Sequence, residues 1–272
     1  MPITCQRPLR PFSKDEFAAI SFDVMRDVFS IHNELGRLFD EKIYKRALAR
    51  RRQDVQLEVP VDVTHGSFAK RYFLDVLVGD GALLEFKAVE AFTLRHKSQL
   101  LHYLQLTELL HGLLINVRPE QVVKEFVNVA LTQDERLRFT VKNDRWKAEL
   151  PGCGTFRKTL EALLKDWGTC LDLSLYEEAV THFLGGEEKS VRLVAVTLEG
   201  AILGKQLMRH ATEGVAFKLT AFDQESSRDR FEEHTRRFIA HCDVEALLWA
   251  NIGRHEVTFT TLRADRKIGA EK

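Results

Sequence analysis

Two carboxylates and a lysine stand in the stretch RYFLDVLVGDGALLEFKAV (71–89): Asp75, Glu85 and Lys87. Carboxylates about 5 Å apart on adjacent strands can share a divalent cation, because Mg²⁺ takes oxygen ligands at about 2.0–2.1 Å. Such an ion activates water and neutralises a phosphate, and a lysine on the same face orients the attacking water and stabilises developing negative charge. Whether the three can meet depends on register. Two β-type runs flank Gly79-Asp80-Gly81; a three-residue loop sets Val78 opposite Ala82, hence Asp75 opposite Glu85, and period-2 alternation puts Lys87 on the face of Glu85. A two-residue loop would shift the register by one and break the set. Charged residues alternating with apolar ones also suit the solvent face of an ordinary strand, so the spacing D-x9-E-x-K leaves both readings open.

The elements around this hairpin read as α/β. Ser13-Lys-Asp-Glu16 has the form of a capping box, followed by Phe17, Ile20, Val24, Val28, Ile31 and Leu35 at helical spacing up to a stop at Gly36. A second helix is expected from about Asp40 to Arg51, with Ile43, Tyr44, Ala47 and Leu48 inward and the arginines outward. Residues 56–63 alternate like a strand, with a turn at Thr64–Ser67. After the hairpin come a helix at about Leu94–Leu110, an apolar strand Gly112–Val117, a turn at Pro119 and a strand-like run Val122–Val127. On that helix Gln99 and Tyr103 lie one turn apart, placed to hold a nucleic-acid backbone or the lysine, or simply to pack half buried. The order helix, helix, strand, hairpin, helix, strand, strand implies a mixed sheet.

Composition narrows the classes. The chain has 272 residues, 44% hydrophobic and 29% charged, with 40 basic and 40 acidic side chains and a formal charge of zero. That is a globular composition, and it argues against a strongly basic nucleic-acid coat protein. Any anionic partner must meet a local patch; the arginines 46, 50, 51 and 52 form one candidate for phosphate contact. Cys5, Cys153, Cys170 and Cys242 lie far apart without a C-x-x-C pair, so reduced structural thiols are expected rather than a zinc ribbon. No uncharged stretch reaches the ~18 residues of a membrane span, and the expectation is a cytoplasmic protein without a membrane partner.

Residues 28–117 resemble the GxxExxY protein family, a branch of the PD-(D/E)XK nuclease superfamily. The segments that carry the resemblance are His32-Asn-Glu34-Leu35-Gly36, Glu41-Lys-Ile-Tyr44, Asp75, Glu85-Phe-Lys87, Gln99-Leu-Leu-His-Tyr103 and GLLINV at 112–117; the Q-x-x-x-Y element also resembles RecB-like exonucleases. The resemblance implies a restriction-endonuclease-like mixed sheet flanked by helices. It also implies Mg²⁺ or Mn²⁺ held by Asp75 and Glu85, Lys87 as the catalytic lysine, Glu41 as a helical acid near the metal, and Gln99 and Tyr103 as supporting contacts. His32 would be a further ligand, as in some relatives, or a partly buried structural histidine. Leu38 stands where the family's namesake motif begins with glycine, and Leu74 where the superfamily has proline.

The second half repeats landmarks of the first. Gly168 and Tyr176 reproduce the spacing of Gly36 and Tyr44, and ALLWANIGRHEV (246–257) resembles GLLINVRPEQV (112–122). Chance similarity between two α/β segments is the alternative to duplication. Aligned on the hairpins, VAFKLTAF (215–222) lies over ALLEFKAV (82–89), so Lys218 replaces Glu85 and Thr220 replaces Lys87, with Arg209 and His210 near the place of Asp75. The expected organisation is a nuclease-like domain over 1–131, a connector over 132–154 with room for one added strand, and a degenerate nuclease-like repeat over 155–272, packed as a pseudo-dimer. The expected function is a Mg²⁺-dependent nuclease acting on nucleic acid, DNA in the first instance, working as a monomer or a homodimer. The alternative is a catalytically silent scaffold that binds nucleic acid or protein.

Overall fold

The computed structural model describes residues 3–264; residues 265–272, the tail of the expected repeat, lie outside the described residues. The chain divides into two compact units, Met1–Gln133 and Asp134–Lys272. In the first unit the elements are β1 (Ile3–Cys5), α1 (Lys14–Leu35), α2 (Glu41–Arg51), β2 (Val55–His65), β3 (Phe68–Val78), β4 (Ala82–Lys87), α3 (Leu94–Thr107), β5 (His111–Asn116) and β6 (Val123–Asn128). The sequence pattern did not foresee β1, which pairs antiparallel with β2.

The first helix starts where its chemistry says it should. Ser13 accepts from the Glu16 N–H and Glu16 accepts from the Ser13 N–H, closing the capping box. It ends at Gly36, whose φ of 72° lies in the left-handed region that favours glycine. Its apolar stripe, Phe17, Val24, Met25, Val28 and Ile31, is buried against Tyr44 and Leu48 of α2 and against Val76, Leu84, Phe86, Leu113 and Ile115 of the sheet.

The sheet runs β1-β2-β3-β4-β5-β6. Strands β3 and β4 pair as Val76↔Leu84, Leu77↔Leu83 and Val78↔Ala82, the register of the three-residue loop, with Gly79 at φ 62°. Strands β4 and β5 are parallel, with Glu85 beside Leu114 and Lys87 beside Asn116. A parallel neighbour requires a crossover, and α3 supplies it. Because helices cover this part of the sheet, β4 and β5 are buried almost throughout, which explains why they read as apolar runs rather than alternating ones.

The second unit contains α4 (Gln133–Arg136), β7 (Thr140–Arg145), α5 (Cys153–Trp167), α6 (Leu173–Phe183), α7 (Glu187–Ser190), β8 (Val191–Leu198), β9 (Ala201–Thr212), β10 (Val215–Thr220), α8 (Glu225–Ala240), β11 (Ala246–Ile252) and β12 (Glu256–Leu262); α4 begins on the last residue of the first unit. The stretch 132–154, read from sequence as a connector, therefore contributes structure here. Strand β7 pairs with β12, and Arg136 is buried with its guanidinium on the carbonyls of Trp167 and Thr169.

This second sheet runs β7-β12-β11-β10-β9-β8. From β8 to β12 its pairings are antiparallel, antiparallel, parallel and antiparallel, the same series as from β2 to β6. Local bonds recur as well. The Tyr44 hydroxyl donates to Gly36 O at 2.5 Å and the Tyr176 hydroxyl to Gly168 O at 2.5 Å, each eight residues apart, and Gly168 caps α5 at φ 80° as Gly36 caps α1. Asn116 bridges the N–H and C=O of Val89, and Asn251 does the same for Phe222.

Candidate active site

Strand β3 delivers Asp75 and strand β4 delivers Glu85 and Lys87. The β3–β4 ladder stops at Val76↔Leu84; beyond it the Asp75 carboxylate takes over, its Oδ2 accepting the Phe86 N–H at 2.8 Å. That bond fixes Asp75 beside Glu85. Lys87 donates through Nζ to Glu85 Oε1 at 2.6 Å, so the alternation that placed both on one face is realised. Glu85 is 2% exposed and its second oxygen, Oε2, is buried with no hydrogen-bond partner.

Glu41 opens α2 and reaches the end of β4, where its carboxylate meets the backbone of Ala88. One turn later on the same helix comes Lys45, which the sequence reading did not single out. Its ammonium is buried between Asp75 Oδ1, in a short contact, and Glu58 Oε1, at 2.7 Å. Glu58 lies on β2 across from Asp75 and adopts φ 52°, a left-handed conformation uncommon for a non-glycine residue. The spacing Glu41 to Lys45 was the available clue, since two residues four apart on a helix that faces the strands must point to the same place.

Burial sets the protonation of this cluster. Desolvation, and next the like charge of Asp75, push the Glu85 carboxyl up to about 7 against the pull of Lys87. Desolvation also raises Glu41, opposed by Lys87 and Lys45 and reinforced by Asp75. Burial works against both ammonium groups, but Glu85 with Glu41 and Asp75 outweighs it at Lys87, and Asp75 with Glu58 outweighs it at Lys45, so both lysines stay charged at neutral pH.

Helix α3 completes one wall. Gln99 Nε2 donates to the Tyr103 hydroxyl at 3.3 Å, and the half-buried phenol, raised by desolvation, is within electrostatic reach of Glu85, Lys87 and Asp75. The structure thus brings Asp75, Glu85, Lys87, Glu41 and Tyr103 together, with Gln99 attached through Tyr103. His32 is engaged elsewhere: Nε2 donates to Val117 O at 3.1 Å and the ring stacks on Tyr44 at 6.3 Å. That bond takes one ring nitrogen out of use as a ligand. The arginine patch is also largely spent on internal pairs. Arg52 binds Asp23, Asp27 and Asp54, and Arg51 binds Glu34 and Ser30; Arg46 and Arg50 remain exposed.

The chemistry of the donors suits a hard divalent cation. Three carboxylates feel one another's charge, all offer oxygen, and buried Oε2 of Glu85 lacks a partner. Among the described residues no three His, Cys, Asp or Glu side chains are gathered as ligands; the ammonium groups of Lys45 and Lys87 stand against the carboxylates instead. No helix among the described residues is long and apolar enough to cross a membrane.

No curated protein and no solved structure matches the chain. Residues 18–129, which include every element from α2 to β6 and most of α1, match the family model of the PD-(D/E)XK nuclease superfamily, whose members are generally metal-dependent nucleases.

Proposed function

We propose that the first unit hydrolyses phosphodiester bonds in DNA with Mg²⁺ or Mn²⁺, and that within the superfamily it sits in the GxxExxY branch on the strength of His32 to Gly36 and Glu41 to Tyr44. The observation that carries the reading is the buried, unpartnered Glu85 Oε2 beside Asp75, Glu41 and Lys87.

Asp75, Glu85 and Glu41 would hold the ion, which when bound supplies neutralisation of phosphate charge and a more acidic water. The remaining work falls to the chain's own groups. The Phe86 N–H locks the Asp75 carboxylate in place. Lys87, kept charged by Glu85, offers its ammonium to the attacking water and to the oxygens that gain charge as the phosphate is attacked. Tyr103, a neutral phenol held by Gln99, donates toward the phosphate backbone. Lys45, bridging Asp75 and Glu58, holds the Asp75 carboxylate in its orientation.

The second unit is, in this reading, a degenerate copy. Matching Leu84↔Val76 to Phe217↔Arg209 puts Lys218 at the place of Glu85, Thr220 at that of Lys87 and Met208 at that of Asp75. Tyr44 and Tyr176 align in turn, which puts Glu177 at the place of Lys45.

Cleavage of labelled single- and double-stranded DNA by the full chain tests the function. Cutting is expected with Mg²⁺ or Mn²⁺, none with EDTA, and none by Glu85→Ala. Native protein that binds DNA but never cuts it would assign the chain to a scaffold role.

A further inference from the structure

We infer that the second unit binds a nucleoside 5′-phosphate in a cavity at the position corresponding to the carboxylates of the first. The cavity measures about 700 Å³ and lies wholly within this unit. That volume is in the range of sites that take a ligand of nucleotide size. The inference stands independently of hydrolysis by the first unit.

Charge decides what kind of ligand is admitted. At the place of Glu85 this unit presents Lys218, with Arg209 adjoining Met208 at the place of Asp75, and one carboxylate, Glu177, faces both: Lys218 Nζ lies 3.0 Å from Oε1 and Arg209 Nε 3.8 Å from Oε2. Glu177 is wedged in at 16% exposure, while Lys218 is 50% and Arg209 30% exposed. Lys218 and Arg209 share this one sunken carboxylate, and Arg209 Nη1 also donates to Thr181 Oγ1 at 3.4 Å; the ammonium and the guanidinium each keep further N–H donors for an incoming anion. Glu187, an exposed carboxylate, also lines the cavity and can accept from sugar hydroxyls.

The floor and far wall are apolar and aromatic. Met208 of β9 lines the cavity, and α8 contributes Phe231 and Phe238. Phe231 is fixed against Phe222 and Trp249, ring centroids 5.5 and 4.9 Å apart, while the exposed Phe238 supplies a ring on which a base can stack. Aromatic faces accept any base, while cations at one end of the cavity fix the phosphate. Orthophosphate alone would leave the aromatic wall unused, and a nucleoside alone would leave the cations unused.

The test is isothermal titration of the full chain, in EDTA and in the Glu85→Ala background, with adenosine 5′-monophosphate, adenosine, inorganic phosphate and a 5′-phosphorylated oligonucleotide. The monophosphate should bind saturably, and about tenfold or more tighter than adenosine or phosphate. Lys218→Glu and Phe238→Ala, both at exposed side chains, should each weaken it about tenfold or more while leaving the circular dichroism unchanged. If the Lys218-dependent affinity is greater for the oligonucleotide, the ligand is the end of a strand; if greater for the monophosphate, it is a free nucleotide. Absence of saturable binding by the folded chain, or equal binding by Lys218→Glu, overturns the inference.

Discussion

Glu85 carries opposing demands. Its carboxyl is buried beside Asp75 and Glu41, which favours the neutral acid, while the proposed chemistry needs the carboxylate. Glu85→Gln removes the charge at nearly constant shape, so metal-free protein should gain about 1–2 kcal/mol of stability at pH 8, read by urea unfolding, while cleavage is lost. Lys45 behaves oppositely. Lys45→Met leaves Asp75 buried without its counter-charge and should cost about 3 kcal/mol in the same measurement. A Glu85→Gln variant less stable than native would mean that the pair with Lys87 outweighs the burial of charge. Asp75, Glu85 and Lys87 were legible in the sequence because they lie on one hairpin whose register a single glycine-rich turn determines. Lys45 and Glu58 were not, because their partnership joins a helix to a strand and depends on a left-handed residue in β2 that no local pattern announces.

Among the elements, α1 is the frame on which α2 and the sheet are packed, and its start is pH-sensitive. Hydrogen bonds from the Ser13 backbone, then from Arg10, hold the Glu16 carboxyl down at about 2. Its folded value lies below the unfolded one, so its stabilising contribution is full above about pH 4.5 and disappears as pH falls toward 2. Glu16→Gln should therefore lower the melting temperature at pH 7 and converge with native protein near pH 2; parallel curves would show that the capping carboxylate contributes nothing. Helices and strands were read well where periodicity or caps mark them, as at Ser13, Gly36 and the 79–81 turn. Strand β1 escaped because three residues carry no period. The arginines near 50 looked like a patch for phosphates, yet Asp23, Asp27 and Glu34 of α1, together with the neighbouring Asp54, neutralise two of them.

At the scale of the molecule, each unit has its own buried cluster, one built on α1, α2 and β3 to β5, the other including Ile239, Leu247, Trp249 and Leu262. A unit with its own core can fold alone. Residues 1–133 expressed separately should therefore remain folded and retain metal-dependent cleavage, whereas residues 134–272 should fold without cutting. Loss of all cleavage in a folded 1–133 fragment would assign the second unit a part in the reaction itself.

The most direct test compares single-turnover cleavage of one DNA substrate in Mg²⁺ by native protein, Lys87→Ala and, as a control at an exposed lysine of β9, Lys205→Ala, with DNA binding measured in parallel. A fall of about 10² or more is expected for Lys87→Ala at unchanged DNA affinity, and a native rate for Lys205→Ala. A native rate in Lys87→Ala would contradict the catalytic role of this site.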